Sequence, residues 1–408
     1  MPTPNTTIEI GFDLTSQGGP FFTLNDAIQG VLDNATFGLG GTLFYDVSQF
    51  VYEASVNRGK SRELDRYSAG QLSVTFNNRA RTFDPLYTLS PYAGQIVPHR
   101  EIRMKANGSA VFYGVIDDWN LNYGPDGDNT ATAVASDGFT LLATQNLAAH
   151  TAISQLTGAR IGTVLSRTEV DWPAGLRTID PGQATLQADV VPQNTNVLEY
   201  LQTIALSEPG IIYIGKDGYF NYQDRAHQIS STNVKVFADD GSGIPFNTLQ
   251  VVYGSELLYN KVTITRLNGT AQTANDTDSQ NQYGISTLDQ DGLLLNSDTD
   301  SALLAAYLLT KYSEPEYRFD AIEVEMASLS TLDTANLLSL EIGDVVQVKF
   351  TPNNISPAIN KYALITGINH RTNNISHRIT IQLSTLDYAN FILNDSIFGV
   401  LNDDRLGF

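Results

Sequence analysis

Five histidines are the residues of this sequence best suited to metal ligation or to proton transfer near neutral pH. They lie far apart, at His99, His150, His227, His370 and His377. None belongs to a His-Glu-x-x-His pattern or to a comparable zinc spacing. His370 and His377 fall in or beside predicted strands near the C-terminus. The pattern predicts structural or surface histidines, and no metal site.

Paired carboxylates offer a second kind of chemistry. Glu323 and Glu325 fall on one face of a predicted strand, where two carboxyl groups across a cleft could serve a glycosidase. They alternate with Ile322, Val324 and Met326, a pattern typical of the polar face of a barrel strand. The second interpretation is favoured. No Gly-x-Ser-x-Gly elbow, phosphate-binding loop or dinucleotide fingerprint accompanies them, so no catalytic residue is predicted and the protein is not expected to be an enzyme.

Three Asp-x-Asp pairs could offer oxygen ligands to calcium. None is followed by the downstream bidentate Glu of a calcium loop, so ordinary solvated loops are favoured and no cofactor is predicted. The pairs are Asp276 with Asp278, Asp289 with Asp291, and Asp298 with Asp300.

A short basic stretch, Arg58 to Arg66, could form an electrostatic patch for nucleic acid. Two acidic residues interrupt it, which favours ion pairs at a subunit interface instead. The residues predicted to form those ion pairs are Arg58, Lys60, Arg62, Glu63 and Asp65.

Composition limits the possible functions further. The 408 residues carry 24 basic and 44 acidic side chains, a formal net charge of -20, which disfavours specific nucleic-acid binding. The chain has no cysteine, so stability must come from packing and from contacts between subunits. Its start lacks the features of a secretory signal, and no apolar run is long enough for stable membrane insertion. The sequence predicts a protein folded in a cytoplasm.

Alternating hydrophobicity predicts a mainly β fold with α+β parts. Leu72, Val74 and Phe76 alternate with polar residues, and the dipeptide Asn107-Gly108 is typical of a hairpin turn. Residues 1–44 are predicted to form an extended arm, 45–149 a first β-barrel domain, and 150–242 a small α+β domain. Residues 243–388 are predicted to form a second barrel domain, and 389–408 a C-terminal arm.

Two helices are predicted between the strands. Residues 197–206 follow Asn196, a good N-cap, and end before Pro209-Gly210. Residues 301–312 have apolar side chains at helical spacing and are the one helix predicted inside the second barrel domain. Residues 211–214 and 219–222 are expected to form a hairpin. The Asp-rich segment 268–300 is predicted to be a long loop.

One motif occurs near both ends of the chain. Residues 22–32 and 391–401 are identical at eight of eleven positions, with a constant offset of 369 residues. The two copies either dock into equivalent pockets of partner proteins, with the apolar residues as anchors, or pack on two similar β domains of this chain. The candidate docking residues are Phe22, Leu24, Asn25, Asp26, Ile28, Val31 and Leu32, and Phe391, Leu393, Asn394, Asp395, Ile397, Val400 and Leu401.

The sequence also resembles a known family, the minor tail proteins of siphophages. The arm residues 30–33 and their C-terminal copy are similar to that family, and the likeness extends over most of the chain. It is densest over residues 20–120, where it is carried by 57–65, Ala69-Gly70, Leu72-Ser73-Val74, Asn77-Asn78, Arg81, Phe83-Asp84-Pro85, Ser90-Pro91-Tyr92 and Pro98.

This resemblance implies a baseplate-hub fold with two tail-tube-like β-barrels per chain and no cofactor. It implies a homotrimeric ring, with pseudo-sixfold symmetry, that continues the tail tube at the distal end of the virion tail and lets the genome pass. The implied partners are distal tail and tail-tube proteins, the tape-measure protein, and tail fibres or other minor tail proteins. Trp119 and other aromatic residues are expected to supply core and interface anchors. The alternative is a phage-borne carbohydrate-binding adhesin or polysaccharide depolymerase.

Overall fold

The protein is mainly β, with α+β parts, as expected. A computed structural model describes residues 5–12, 43–60, 62–227 and 234–386. Within these residues, thirteen strands form one continuous sheet, and the other strands form five small sheets. Two segments, called here the first insert (residues 138–223) and the second insert (residues 261–312), leave the large sheet and fold beside it.

The first part of the large sheet, called the first β unit, precedes the first insert. Leu72, Val74 and Phe76 are buried and alternate along one strand with residues on its other face, as predicted. Asn107 and Gly108 have φ values of 48° and 81°, which match the predicted hairpin turn. The strands are β1 (Thr6–Phe12), β2 (Leu43–Asp46), β3 (Val51–Gly59), β4 (Ser68–Asn77), β5 (Glu101–Ala106), β6 (Ser109–Asn122) and β7 (Thr130–Ser136).

The first β unit begins before the predicted boundary at residue 45. Ile8, Ile10 and Phe12 are buried in its core, and β1 pairs with β5 and β2. Their period-two spacing is that of a half-buried strand, so this part of the predicted arm belongs to the sheet. Residues 13–42 and 387–408, with all fourteen candidate docking residues of the two arm motifs, lie outside the described residues.

The first insert has its own apolar core and contains the predicted helix at the predicted place. The Asn196 side chain caps that helix by accepting a hydrogen bond from Glu199 N at 3.1 Å, and Val197, Leu201 and Ile204 are buried along one face. The elements are α1 (Gly138–Thr144), β8 (Asn146–Leu147), β9 (His150–Ala152), β10 (Gln155–Leu156), α2 (Thr157–Leu165), β11 (Arg177–Ile179), β12 (Thr185–Leu186), β13 (Asp189–Val191), β14 (Thr195–Asn196), α3 (Val197–Leu206), β15 (Ile211–Ile214) and β16 (Phe220–Gln223). The last two strands form the predicted hairpin.

The second β unit follows, and the second insert interrupts it. Its first strand begins at Lys235, before the predicted boundary at residue 243. The elements in chain order are β17 (Lys235–Ala238), β18 (Thr248–Tyr253), then in the second insert β19 (Lys261–Arg266), β20 (Gln272–Asn275), α4 (Thr277–Tyr283), β21 (Thr287–Leu293) and α5 (Asp298–Tyr312), and finally β22 (Tyr317–Glu325), α6 (Thr331–Ser339), β23 (Val345–Phe350), β24 (Ile359–Asn373) and β25 (His377–Thr385).

The predicted helix at 301–312 is confirmed as α5, whereas two other predictions in this region are wrong. The supposed loop 268–300 contains β20, α4 and β21, and a second helix of the unit, α6, was missed. Both missed helices are short and start at side-chain caps. Asp276 accepts from Ser279 N at 3.0 Å, and Ser330 accepts from Asp333 N at 3.1 Å. In α4 only Ser279 is buried, and in α6 the exposed Leu332 stands apart from the buried Leu337 and Leu338, so neither segment shows a clear apolar face in the sequence.

The two β units repeat one strand order. The first unit runs β1-β5-β6-β7-β4-β3 across the sheet, and the second runs β17-β23-β24-β25-β22-β18. Leaving aside β2, which pairs only with β1, and the strands of the second insert, the six strands of each unit numbered in chain order are placed as 1-4-5-6-3-2 across the sheet. The units differ in that β1 pairs antiparallel and β17 parallel with its neighbour. One apolar core joins both units. The chain therefore contains two copies of one six-stranded unit.

Candidate functional site

The two β units meet edge to edge at the long strand β24. On one side, β24 pairs with β25. On its other side, the first half of β24 pairs with β23, and its second half pairs with β3 of the first β unit, from Gly367 opposite Gly59 to Asn373 opposite Glu53. This intrachain junction makes one sheet from two units, and its last residues, Arg58 and Gly59, are where the basic stretch singled out in the sequence begins.

Gly59 permits this close approach. Its φ is 95°, and a Cβ there would overlap the carbonyl oxygen of Thr366. The next residue, Lys60, donates its backbone N–H to that same oxygen at 2.9 Å. Only glycine combines the left-handed conformation with this lack of space, so Gly59 fixes where β3 turns away from β24.

Arg58 ties three parts of the molecule together at the junction. It is buried, and its Nη2 donates to Glu341 Oε1 at 2.7 Å and to the Ile214 carbonyl at 3.0 Å. The other carboxylate oxygen of Glu341 accepts from Lys216 N at 3.0 Å. The Lys216 ammonium donates to three carbonyls at the end of α6, where a cation is favoured. The first β unit, the first insert and the second β unit thus share one ionic network.

Glu63 is the centre of a second ionic group, which reaches the second insert. Its Oε1 lies 2.9 Å from the Lys311 ammonium and accepts from the Tyr312 hydroxyl at 3.0 Å. Lys60 donates to the Glu63 carbonyl and lies over the Tyr67 ring. Burial lowers the pKa of Lys60 to about 8, although Glu63 opposes this. These contacts hold the β3–β4 connection against α5.

Arg62 and Asp65 are exposed, and Arg62 lies 3.6 Å from Glu256 across the surface. Beside them is an open, mostly polar cleft of about 350 Å³, lined by residues of β3, β4 and their connection. Arg58, Arg62 and Glu63 have ion-pair partners in this chain. Ion pairs of this group with another subunit stay a prediction.

His370 and His377 face each other in the β24–β25 hairpin. His370 Nδ1 lies 3.0 Å from His377 Nε2, and both rings are buried. Burial lowers the pKa of His377 to about 4, and burial followed by the neighbouring His377 lowers the pKa of His370 well below its usual value. The pair is neutral at pH 7. Because His370 lies opposite Val56 of β3, it belongs to the junction's interior.

Three of the carboxylates that were candidates for catalysis or calcium binding are bonded to side chains of this chain. Glu323 and Glu325 lie 3.2 Å and 3.8 Å from Arg378 of β25, and Glu325 also accepts from Ser376 Oγ at 2.6 Å. Asp298 lies 2.6 Å from Arg266 Nε. Among the residues that the structure describes, no three His, Asp or Glu side chains are grouped closely enough to hold a metal ion. In the same residues, no helix has the length and apolar character of a membrane span.

Several strand edges are uncovered in the described part of the chain, that of β2 among them, and two of these edges are relevant to assembly. One is the outer edge of β18, which pairs only with β22. The other is the second half of β6, which pairs with β7 on one side, while β5 covers only its first half on the other. An uncovered edge offers backbone donors and acceptors to another chain. Neither edge was predicted from the sequence, although the absence of charge and proline in Thr248–Tyr253 is a usable signal.

An exposed apolar surface lies in the connection between β4 and β5, residues 78–100. Phe83 anchors this connection in the core, stacked on Phe76 and Trp119 with ring centroids 4.5 Å and 5.8 Å away. Leu86 and Leu89 point outward and are 85% and 80% exposed. Two leucines this exposed on one connection indicate a contact surface.

Comparison with known proteins supports the fold. No family model matches the sequence, and no curated protein matches it significantly. A 43 kDa tail protein of prophage MuSo2 from Shewanella oneidensis has a similar structure, with a TM-score of 0.58 and 14% identity over 94% of this chain and 97% of that one. A tail protein from Neisseria meningitidis MC58 has a TM-score of 0.58 and 11% identity over 85% of this chain and 94% of that one. The chain thus has the fold of phage tail proteins, as the resemblance implied.

Proposed function

We propose that this protein is a structural, non-enzymatic component of a phage tail, a tail-tip or baseplate hub that assembles into a trimeric ring coaxial with the tail tube. The likeness to two tail proteins over nearly their whole length supports the tail assignment. The proposed ring is based on the two copies of the six-stranded unit in each chain.

The observation that carries the proposal is the presence of two copies of one six-stranded unit in a single chain. Three chains supply six near-equivalent units, so a threefold ring presents a sixfold pattern of sheets to a hexameric tube. Uncovered strand edges on both units give each chain a means of contacting the next. The buried networks around Arg58 and Glu63 keep the two units in a fixed relation, as a rigid ring requires.

The charge of the chain suits a channel for DNA. A formal net charge of -20 per chain gives -60 for three chains, and such a surface repels the phosphate backbone. DNA that passes through the ring would therefore not be held by it. The expected action is assembly and conduction, with no bond made or broken.

The terminal motifs supply the contacts with other tail proteins in this proposal. Residues 22–32 and 391–401 share their apolar anchors and an Asn-Asp pair, so the two arms of each chain would grip equivalent pockets. The tail-tube protein, the tape-measure protein and tail fibres are the proposed neighbours, at the distal end of the tail.

Cryo-electron microscopy of tails from the parent virion tests this function. A threefold ring coaxial with the tube, with two six-stranded units per protomer, is the expected density. Density at peripheral fibres, or absence of the protein from the virion, would overturn the proposal. Binding of the purified protein to a polysaccharide, followed by release of reducing ends, would instead favour the adhesin or depolymerase alternative.

A further inference from the structure

The intrachain junction offers a template for a second junction, because the strands that form it recur in the other unit. In β24, Ile365 donates its N–H to Asp344 O at 2.9 Å and accepts from Gly343 N at 2.8 Å. In β6, Ile116 donates to Arg100 O at 2.8 Å and accepts from His99 N at 2.6 Å. After each isoleucine, the pairing with the following strand shifts register. Ile116 of β6 is therefore equivalent to Ile365 of β24.

Beyond this point the two strands differ in what covers them. Residues 367–373 of β24 pair with β3, whereas the corresponding residues of β6, from Asp118 onward, have no strand on that side among the described residues. The Trp119 indole donates to Val97 O at 3.3 Å and is half-buried. The uncovered edge of β6 is thus the counterpart of the edge that receives β3.

The edge strand of the second unit matches β3 in the same way. Ser55 of β3 lies opposite Ser73 of β4, and Gln250 of β18 lies opposite Ala321 of β22. Val134 and Gln382 are equivalent because they lie opposite Asp118 of β6 and Gly367 of β24, the first residues after the two register shifts. Ser73 lies opposite Val134, and Ala321 lies opposite Gln382, so Ser73 and Ala321 are equivalent as well. Counting onward, residues 55–59 correspond to 250–254, and both segments carry valine second and glycine last.

We propose that β18 of one protomer adds to the uncovered half of β6 in a second copy of this chain, antiparallel and in the register of the β3–β24 junction. Asn122 then lies opposite Gln250 of the neighbouring copy, and Asp118 lies opposite its Gly254. The contact is head-to-tail, because each protomer gives one edge and receives at a different one. This inference rests on the proposed function and specifies how its copies meet.

Side-chain chemistry fits this register. Leu121 and Val251 both pack on the core face of their own units, and the register places them side by side. Asn122 and Gln250 are exposed on the opposite face, where two amides can bond to each other. The strand Thr248–Tyr253 contains no charge or proline that would block pairing. A slip of one residue would place apolar side chains opposite polar ones on both faces.

Disulfide trapping tests the register directly, since the native chain has no cysteine. The full-length double variant N122C/Q250C is oxidised at concentrations up to the millimolar range, and crosslinked species are resolved on denaturing gels. Opposite residues of paired strands lie within the range of Cα separations that a disulfide bridges, so dimers and higher covalent species are expected. The matched control D118C/Q250C uses two exposed residues displaced along the strand by about 13 Å. It should give about tenfold less product.

Single-cysteine variants test the head-to-tail geometry. A mixture of N122C and Q250C chains should give dimers and nothing larger, and neither variant alone should crosslink. Self-crosslinking of either variant would indicate twofold pairing and overturn the proposal, as would equal yields from the control pair. A threefold ring in virion tails without the expected crosslink would retain the proposed function and reject this register. Absence of both would reject the two together.

Discussion

His99 and Gly343 occupy the same position in the two β units. Their φ values are 62° and 88°, and each donates its backbone N–H to the equivalent isoleucine, Ile116 or Ile365. The left-handed conformation is retained in both units, although one unit has glycine at this position and the other has histidine. Backbone geometry is therefore better preserved than residue type.

The first prediction concerns this pair. His99→Gly should raise the free energy of unfolding by up to about 1 kcal/mol, because glycine removes the steric cost of a left-handed residue. Gly343→Ala should lower it by at least about 1 kcal/mol, since a Cβ there would also overlap the Gln223 side chain. Urea unfolding of both variants measures the two effects. If both substitutions changed the free energy of unfolding by the same amount and in the same direction, His99 and Gly343 would not hold equivalent left-handed positions.

The second prediction concerns the buried ionic network. Arg58→Met should destabilise the protein by about 3–5 kcal/mol, because Glu341 loses the cation to which it is bonded. Arg79→Met is the control, since Arg79 and its partner Asp128 are both exposed, and its unfolding midpoint should not change. The midpoint in thermal unfolding separates the two. Equal midpoints for R58M and R79M would rule out a stabilising role for the network.

The third prediction is a loss of stability in acid. A histidine whose pKa is lowered by folding stabilises the folded state fully above its unfolded pKa of about 6.5, and this contribution is lost as the pH falls towards the folded value. For His377 that value is about 4, which corresponds to about 3 kcal/mol. The His370 shift has the same sign. Stability should thus fall from pH 7 to pH 4.

Replacing the pair measures its share of that loss. In His370→Gln/His377→Gln, the melting temperature should fall less steeply between pH 7 and pH 4 than in the wild type. His150→Gln, a half-buried histidine outside the pair, should keep the wild-type slope. A double variant as acid-sensitive as the wild type would assign the acid response to carboxylates instead.

The fourth prediction concerns Leu86 and Leu89. The connection that carries them joins the third and fourth strands of the first unit, where α6 stands in the second unit. Leu337 and Leu338 of α6 pack into the core shared by both units. Helix α6 also contacts β6 of the other β unit. If the units alternate around the proposed ring, Leu86 and Leu89 should by equivalence cover β24 of a neighbouring protomer. Leu86→Ser/Leu89→Ser should leave the melting temperature unchanged and reduce self-association, measured by analytical ultracentrifugation. Ile285→Ser, also highly exposed, is the control.

The fifth prediction separates the two interpretations of the arm motif. If the C-terminal copy docks into a partner, Asn394→Ala/Asp395→Ala should reduce incorporation of the protein into tails without changing its own melting temperature. If the copy packs on this chain, the melting temperature should fall. Quantitative mass spectrometry of purified tails, with calorimetry of the isolated variant, gives both measurements. The matching variant Asn25→Ala/Asp26→Ala should behave alike.

The sequence predicted elements with one clear apolar period and missed those with little. β4 was predicted because Leu72, Val74 and Phe76 alternate, and α3 because it has both a cap and an apolar face. β20 and α4 were missed because nearly all of their residues are partly or fully exposed. An apolar period appears in the sequence only where one face of an element is buried, and these two elements bury few side chains.

The site was less predictable than the strands around it. The sequence singled out Arg58 and Glu63 by charge, but their partners Glu341 and Lys311 lie more than 240 residues away. Two similar β domains were expected from the terminal motifs and from the family resemblance, but the residue-by-residue equivalence of the two units was not predictable, for a different reason. It resides in backbone hydrogen bonds and strand order, which tolerate His99 and Gly343 at one position.

In the proposed ring, joining both β units in one polypeptide would also lower the entropic cost of assembly. A ring of six separate units would need six bodies to lose translational freedom, and in the proposed trimer only three do. Every second boundary forms within a chain, at an effective concentration independent of expression level. A partly built ring therefore has fewer boundaries that can dissociate. Because the two units of a chain have different sequences, the contacts within a chain and the contacts between chains can also differ from each other. Each insert then occurs three times in the ring, whereas a ring of six identical subunits would have to carry it six times.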